Sequence, residues 1–340
     1  MTYITLGHSG LKVSRACLGA MNFGTSGAPC DEPEARRIID TFLDAGNNFI
    51  DTANVYTGGQ SEEIVGRAVS SKRDSVVIAT KGRGPQGRGP NDVGLSRVHL
   101  IRALDASLRR LGTDYVDLYQ CHQSDPDTPI EETMATLDGF VRQGKVRYIG
   151  CSNFTGSQIV DAQWAAEKGG GTPFVSLQPR YSLIARDIEV DTLPAAQRHG
   201  LGVMVYSPLG GGFLTGKYRR GQEPPPDTRL GRRMQRPGAE HPTGEARPLN
   251  AWASMTLTDK NFDIVDEVAK IAADLGATPS AVSLAWVRER RGVTSVIIGP
   301  RSVDQLRANL LGFDLELSPD AIGRLNDVSR PADRPRRFGA

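Results

Sequence analysis

Residues 75–82 read SVVIATKG, and two stretches on either side share their construction: NNFIDTA at 47–53 and YVDLYQCH at 115–122. Each is a short run rich in β-branched and aromatic residues, the composition of a buried strand. Each carries a polar residue at its far end: Lys81, Asp51 and His122. Outward from these three the pattern repeats, as ACLGAMNFG (16–24), VRYIGCSNF (146–154), FVSLQPRYS (174–182), GVMVYSPLG (202–210) and TSVIIGP (294–300). Longer stretches with helical spacing separate the runs. EPEARRIIDTFLDAG (32–46) puts Ile38, Phe42 and Ala45 on one face, and SEEIVGRAVSS (61–71), SRVHLIRALDASLRRLG (96–112) and PIEETMATLDGFVRQG (129–144) follow the next strands. VDTLPAAQRHG (190–200), NFDIVDEVAKIAADLG (261–276), TPSAVSLAWVRERRG (278–292) and SVDQLRANLLGF (302–313) supply the later helices. Strands alternating with helices predict a parallel sheet with helices outside. A count of eight favours closure into an α/β TIM barrel, (β/α)8, over an open sheet. The opening YITLGHSGLKVS (3–14) reads as a β-hairpin turning at His8-Ser9-Gly10, placed to cap one end of that barrel.

The regularity breaks twice. GRGPQGRGPNDVGLSR after Lys81 has no apolar period, and a longer interruption spans about 210–258, with the proline run EPPPDT and the basic patch Arg229, Arg232, Arg233 and Arg236. Loops of this length inside a compact domain are usually lids or disordered segments. They would lie at the C-terminal face. No linker or repeat divides residues 1–340, which read as one domain.

Composition sets outer limits. With 39% hydrophobic and 24% charged residues the 340-residue chain has an ordinary globular profile. A net charge of +2 gives no reason to expect nucleic acid or an anionic membrane as partner. No apolar run approaches the roughly 20 residues of a membrane helix, and the N-terminus lacks a signal-peptide pattern. The four cysteines form no CxxC pair and read as reduced, buried thiols of a cytoplasmic protein. No metal site is expected.

In a barrel of this kind the C-terminal strand ends share one face, where Asp51, Lys81 and His122 would converge. Tyr56, in the loop after the second strand (DTANVY, 51–56), can fold over the same spot. Hydride attack on a carbonyl builds negative charge on oxygen, which needs a proton and aimed donors. Tyr56 is suited to give the proton, and Lys81 is expected to lower the phenol pKa. Asp51 would hold Lys81, and His122 would donate to the substrate oxygen. The set points to reduction of a carbonyl.

DTANVYTGGQSEEIVGRAV, LRRLGTDYVDLYQCH and GKVRYIGCSNF resemble, almost residue for residue, segments of the aldo-keto reductase superfamily, and the resemblance runs from LGHSGLKVSRACLGAMNFG to IIGPRSVDQLRANL. It implies NADPH-dependent reduction of an aldehyde or ketone to an alcohol, with Asp51, Tyr56, Lys81 and His122 as the catalytic tetrad. It implies that Ser152, Asn153 and Gln178 hold the nicotinamide carboxamide, that Tyr206 stacks on the ring, and that Ser207, Leu209 and Gly211 follow the pyrophosphate. Gly299 and Arg301 would lie at the adenosine end, Arg301 on the 2′-phosphate, so that NADPH is preferred to NADH. Gln305 and Asn309, one helical turn apart, match adenine-contacting positions. Ser302 suits a helix N-cap, and a helix start is an anion site. Asn22, Phe23 and Trp252 are candidate walls of the substrate pocket. The partner is then a small-molecule carbonyl compound, with a homo-oligomer left open. The alternative is a non-catalytic NADPH-binding regulatory subunit on the same fold, because some members of the superfamily serve ion channels while keeping much of the tetrad.

Overall fold

The computed structural model describes residues 3–25, 28–226, 228–234 and 255–331. The chain opens with an antiparallel hairpin, β1 (Tyr3–Thr5) on β2 (Lys12–Ser14). Eight strands then close into a parallel barrel: β3 (Ala16–Gly19), β4 (Phe49–Asp51), β5 (Val77–Gly82), β6 (Val116–Cys121), β7 (Val146–Ser152), β8 (Ser176–Gln178), β9 (Gly202–Val205) and β10 (Val293–Ile298). The last strand pairs with both β9 and β3, which completes the ring. This is the (β/α)8 fold the alternating pattern predicts.

Strand side chains alternate between two cores, as the period of two requires. Val77 and Ala79 of β5 and Leu118 of β6 point into the barrel, where Phe49, Cys17, Met204 and Ile297 join them. Ile78, Tyr119 and Cys121 point outward and pack under the helices. Lys81 shares the inward face of β5, two residues beyond Ala79, so its ammonium emerges at the top of the barrel interior. The hairpin closes the other end: Leu6 and Val13 insert among the interior residues. Gly7 comes so close to the starts of β8 and β9 that a Cβ would lie 2.4 Å from the Val175 carbonyl oxygen; with φ at +58° the position suits glycine alone.

The outer layer comprises α1 (Glu32–Asp44), α2 (Gln60–Val69), α3 (Arg97–Leu111), α4 (Ile130–Arg142), α5 (Gly156–Gly169), α6 (Thr192–Arg198), α7 (Arg229–Met234), α8 (Asp259–Asp274), α9 (Pro279–Arg288), α10 (Val303–Leu310) and α11 (Pro319–Val328). Side-chain caps start them where the chain offers Asp, Ser or Thr: Asp31 on Glu34 N–H, Ser96 on His99 N–H, Ser302 on Gln305 N–H.

Three elements go beyond the sequence expectation. α5 follows the fifth barrel strand and begins with a capping box between Thr155 and Gln158. α11 begins with Ser318 as cap and Pro319 in its first turn. The interruption after β9 is not bare loop where it is described: a 3₁₀ turn over Gly210–Thr215 starts it and α7 lies within it. Trp252 and Arg236 lie outside the described residues. All four cysteines are free and buried, and burial raises the pKa of each thiol. Among the described residues no helix is long and apolar enough to cross a membrane, and no cluster of His, Cys, Asp and Glu is set to hold a metal ion.

Candidate active site

The parallel register places Asp51 opposite Ala79, and Lys81 opposite Gln120, at the C-terminal rim. Lys81 Nζ donates to Asp51 Oδ2 at 2.7 Å, to the Thr52 carbonyl at 2.8 Å and to the Tyr56 hydroxyl at 3.3 Å. The lysine side chain is fully buried and that of Asp51 is 3% exposed. The ring of His122 stands edge-on to Tyr56, with centroids 5.7 Å apart. Four residues spread over 72 positions of sequence thus meet at one point, with Tyr56, His122 and Asp51 lining a cleft and Lys81 behind them.

Three titrations follow from this packing. Burial acts to lower the Lys81 pKa, but the Asp51 carboxylate and the hydrogen bonds to Asp51 and Tyr56 outweigh it, and the ammonium ends above its ordinary value. Burial and the cations of Lys81 and Arg83 push His122 down to about 3, so it is a neutral imidazole. Tyr56 corrects the sequence expectation. Lys81 does favour its phenolate, yet desolvation is the larger effect and Asp51 adds to it, so the phenol pKa is raised. The group is held as a protonated acid.

A cleft of about 1400 Å³ leads away from this point across the barrel mouth. It exceeds the roughly 300–1,000 Å³ of a pocket for one small ligand. Ser152, Asn153, Gln178, Tyr206, Ser207, Leu209 and Gly211 line it, and Gly299, Arg301, Gln305 and Asn309 line its continuation over α10. Ser152, Asn153, Gln178 and Tyr206 form one connected network. Tyr206 donates to Asn153 Oδ1 at 2.8 Å, Asn153 Nδ2 donates to the His122 carbonyl and to Ser152 Oγ at 3.0 Å each, and Ser152 donates to the Gln178 carbonyl at 2.8 Å. Asn153 and Ser207 take φ values of +59° and +54°, conformations that non-glycine residues adopt at a cost and that concentrate at functional sites. Gln178 Nε2 donates to Asp51 Oδ1 at 2.8 Å, which connects this wall to the ion pair.

The donor set suits a dinucleotide. Lys217, Arg229, Arg232 and Arg301 line the cleft as cations that can oppose phosphate charge. Gly210, Gly211 and Gly212 all have positive φ and let backbone approach a ligand closely. At α10 the Val303 N–H is engaged by Glu34 Oε1 at 2.8 Å, and Gln305 Oε1 accepts from the Arg301 N–H at 3.0 Å. The helix start expected to be an anion site therefore already carries a carboxylate, and Arg301 lines the cleft beside it.

Of the proposed substrate-wall residues, one lies away from the cleft and one lines it. Phe23 is fully buried in the outer core and does not line the cleft; its carbonyl accepts from Thr57 Oγ1 at 2.7 Å. Asn22 does line the cleft, and its amide donates to the Gly299 carbonyl at 3.1 Å. Other groups escaped the sequence reading. Gln120 Nε2 reaches Asp51 Oδ1 at 3.4 Å, and its position in YVDLYQCH, two before His122, marks it as inward-facing on the same strand as Leu118. Arg83 has φ at +126° and donates to the Ser124 carbonyl; nothing in the loop composition singles it out. Lys217, which lines the cleft, follows the glycine run in sequence.

Comparison with known proteins agrees with this geometry. The model of the Aldo/keto reductase family matches residues 15–330. Uncharacterized oxidoreductase YrpG of Bacillus subtilis is 39% identical, with 96% of each chain covered. A probable voltage-gated potassium channel subunit beta of Arabidopsis thaliana is 36% identical, over 99% of this chain and 98% of its own. Aldo-keto reductase dtxS3 of Metarhizium robertsii is also 36% identical, over 97% of this chain and 91% of its own. With the barrel, the buried Asp51–Lys81 pair and a family match over nearly its whole length, the chain belongs to the aldo/keto reductase family and is an oxidoreductase of carbonyl compounds.

Proposed function

We propose that the protein reduces an aldehyde or ketone to an alcohol with NADPH, and that Tyr56 gives the proton. The observation that carries this reading is the position of the Tyr56 hydroxyl, 3.3 Å from a buried ammonium and beside a neutral imidazole, at the inner end of a cationic cleft. Bound in that cleft, a reduced nicotinamide would supply the hydride. Ser152, Asn153 and Gln178 would hold its carboxamide, Tyr206 would lie against the ring, and Ser207, Leu209 and Gly211 would follow the pyrophosphate. Arg301 would meet the 2′-phosphate, with Gln305 and Asn309 near adenine.

The chain's own groups divide the remaining work. His122, neutral, donates an N–H to the carbonyl oxygen and aims it at Tyr56. As charge develops on that oxygen, Tyr56 transfers its proton there. The Lys81 ammonium stabilises the resulting phenolate, and Asp51 keeps that ammonium charged and in place. A raised Tyr56 pKa suits the reductive direction, because the acid form is the one present before turnover. Following NADPH absorbance with a panel of aldehydes and ketones tests the reading; oxidation of NADPH by none of them would count against it.

A second reading has a specific basis. Relatives from Arabidopsis thaliana and Oryza sativa that span almost the whole chain are named probable voltage-gated potassium channel subunits beta. On that reading the cleft binds NADPH as a regulatory ligand. Tight NADPH binding without turnover of any carbonyl separates the two.

A further inference from the structure

We propose that the buried Glu62–Arg110 ion pair is a clamp that positions Tyr56, and so governs the rate of proton delivery rather than binding. The proposal rests on the reading of Tyr56 as the acid.

The segment that follows Tyr56 is left-handed throughout and strained at Thr57. Thr57, Gly58 and Gly59 take φ values of +50°, +65° and +96° in succession, three left-handed residues of which one carries a Cβ. Such a segment persists only where its surroundings over-determine it. Here they do. On the entry side Thr57 Oγ1 is tied to the Phe23 carbonyl. On the exit side the first turn of α2 is bound to residues at or just beyond the ends of β3, β4 and β5, and to α3. Ser61 Oγ donates to the Ala20 carbonyl and lies 2.8 Å from Thr52 Oγ1. Glu62 Oε1 accepts from Thr80 Oγ1 at 2.5 Å, and Glu62 Oε2 accepts from Arg110 Nε at 2.7 Å. Glu62 is fully buried, and Arg110, from α3, is 19% exposed. The arm of Arg110 also covers Gly59, where a Cβ would lie 2.8 Å from Arg110 Cδ.

Thr80 precedes Lys81 on β5. The same carboxylate therefore fixes α2 to the residue next to the lysine and, through Arg110, presses on the last left-handed residue of the turn that carries the phenol. Both ends of the 3.3 Å contact between Lys81 Nζ and Tyr56 are referred to Glu62. Neither Glu62 nor Arg110 lines the cleft, so both are positioning residues. Loosening the clamp moves the phenol, and a displacement of about 1 Å at a reacting group is worth about a hundredfold in rate.

The test compares full-length wild-type protein with Glu62→Gln, with the double variant Glu62→Gln/Arg110→Met, and with Tyr56→Phe, using NADPH and para-nitrobenzaldehyde. The double variant removes the carboxylate and its partner together, so no unpaired buried charge is left to prevent folding. Expected is a fall in kcat of about tenfold to a hundredfold in both Glu62 variants, with KM and NADPH Kd held within about twofold. Amide hydrogen exchange should quicken over residues 56–61 and stay unchanged in the barrel strands. If kcat per folded molecule and exchange at 56–61 are unchanged while Tyr56→Phe is inactive, the clamp is refuted and the acid assignment stands. If Tyr56→Phe reduces the aldehyde at the wild-type rate, the acid assignment fails and the clamp fails with it.

Discussion

Lys81 Nζ and Asp51 Oδ2 lie 2.7 Å apart with no water-accessible surface on the lysine, a charge pair enclosed by the barrel interior. Neither charge is tolerable there without the other. Asp51 accepts further hydrogen bonds from Gln178 and Gln120, and Lys81 gives one to the Thr52 carbonyl, so the remaining polar capacity is used. The pair is thereby both a structural element of the barrel top and the electrostatic support of Tyr56.

Replacing Lys81 by Met leaves Asp51 as an unpaired buried carboxylate. The expected cost is about 3–5 kcal/mol of stability and a fall of about a hundredfold or more in reduction rate. Adding Asp51→Asn should restore much of the stability and none of the rate. Urea titration gives the first quantity and NADPH consumption the second. A double variant that recovers both would mean the ammonium has no part in proton delivery.

The pH dependence follows from two shifts in opposite directions. His122 has its pKa lowered to about 3, so between about pH 5 and 9 it stays neutral and gives no acidic limb. Tyr56 is raised above its usual value near 10, so it stays protonated over the same range and reduction should be flat. Stability behaves differently. An unfolded imidazole takes up its proton below about pH 6.5 while folded His122 does not, so the contribution of His122 is whole above about 6.5 and is lost as pH falls toward about 3. Comparing Tm against pH for wild type and His122→Asn would show the difference between them shrinking on the acid side. A rate profile with a limb near pH 6.5 would place a titrating imidazole in the mechanism after all.

Arg301 lines the far end of the cleft, where Glu34 already engages the first turn of α10. Charge-assisted hydrogen bonds contribute about 1.5–3 kcal/mol each, so Arg301→Ala should weaken NADPH by about tenfold to a hundredfold. NADH, which has no 2′-phosphate, should change little. Fluorescence titration with both cofactors measures the ratio directly; equal losses would put the 2′-phosphate elsewhere.

What could be read in advance divides along physical lines. Eight apolar runs with alternating helices give a closed barrel because strand composition and connection length are local properties. Asp51, Lys81 and His122 were legible because a barrel brings all strand ends to one face. α5 was not, because its buried face is mostly alanine, Ala162, Ala165 and Ala166, and gives little apolar contrast against the exposed side. The side from which Phe23 packs depends on a turn that no period reports. The sign of the Tyr56 shift was missed because Lys81 is visible in sequence and the depth of burial is not; desolvation then exceeds the attraction. The Gln178–Asp51 hydrogen bond spans 127 positions and comes only from barrel closure.

The most direct measurement is single-turnover reduction by Tyr56→Phe, with NADPH affinity determined on the same preparation. The account predicts NADPH binding within about twofold of wild type and hydride transfer slowed by about a hundredfold to ten-thousandfold. Hydride transfer at the wild-type rate, with the cofactor bound as tightly, would contradict the assignment of the phenol as the proton donor.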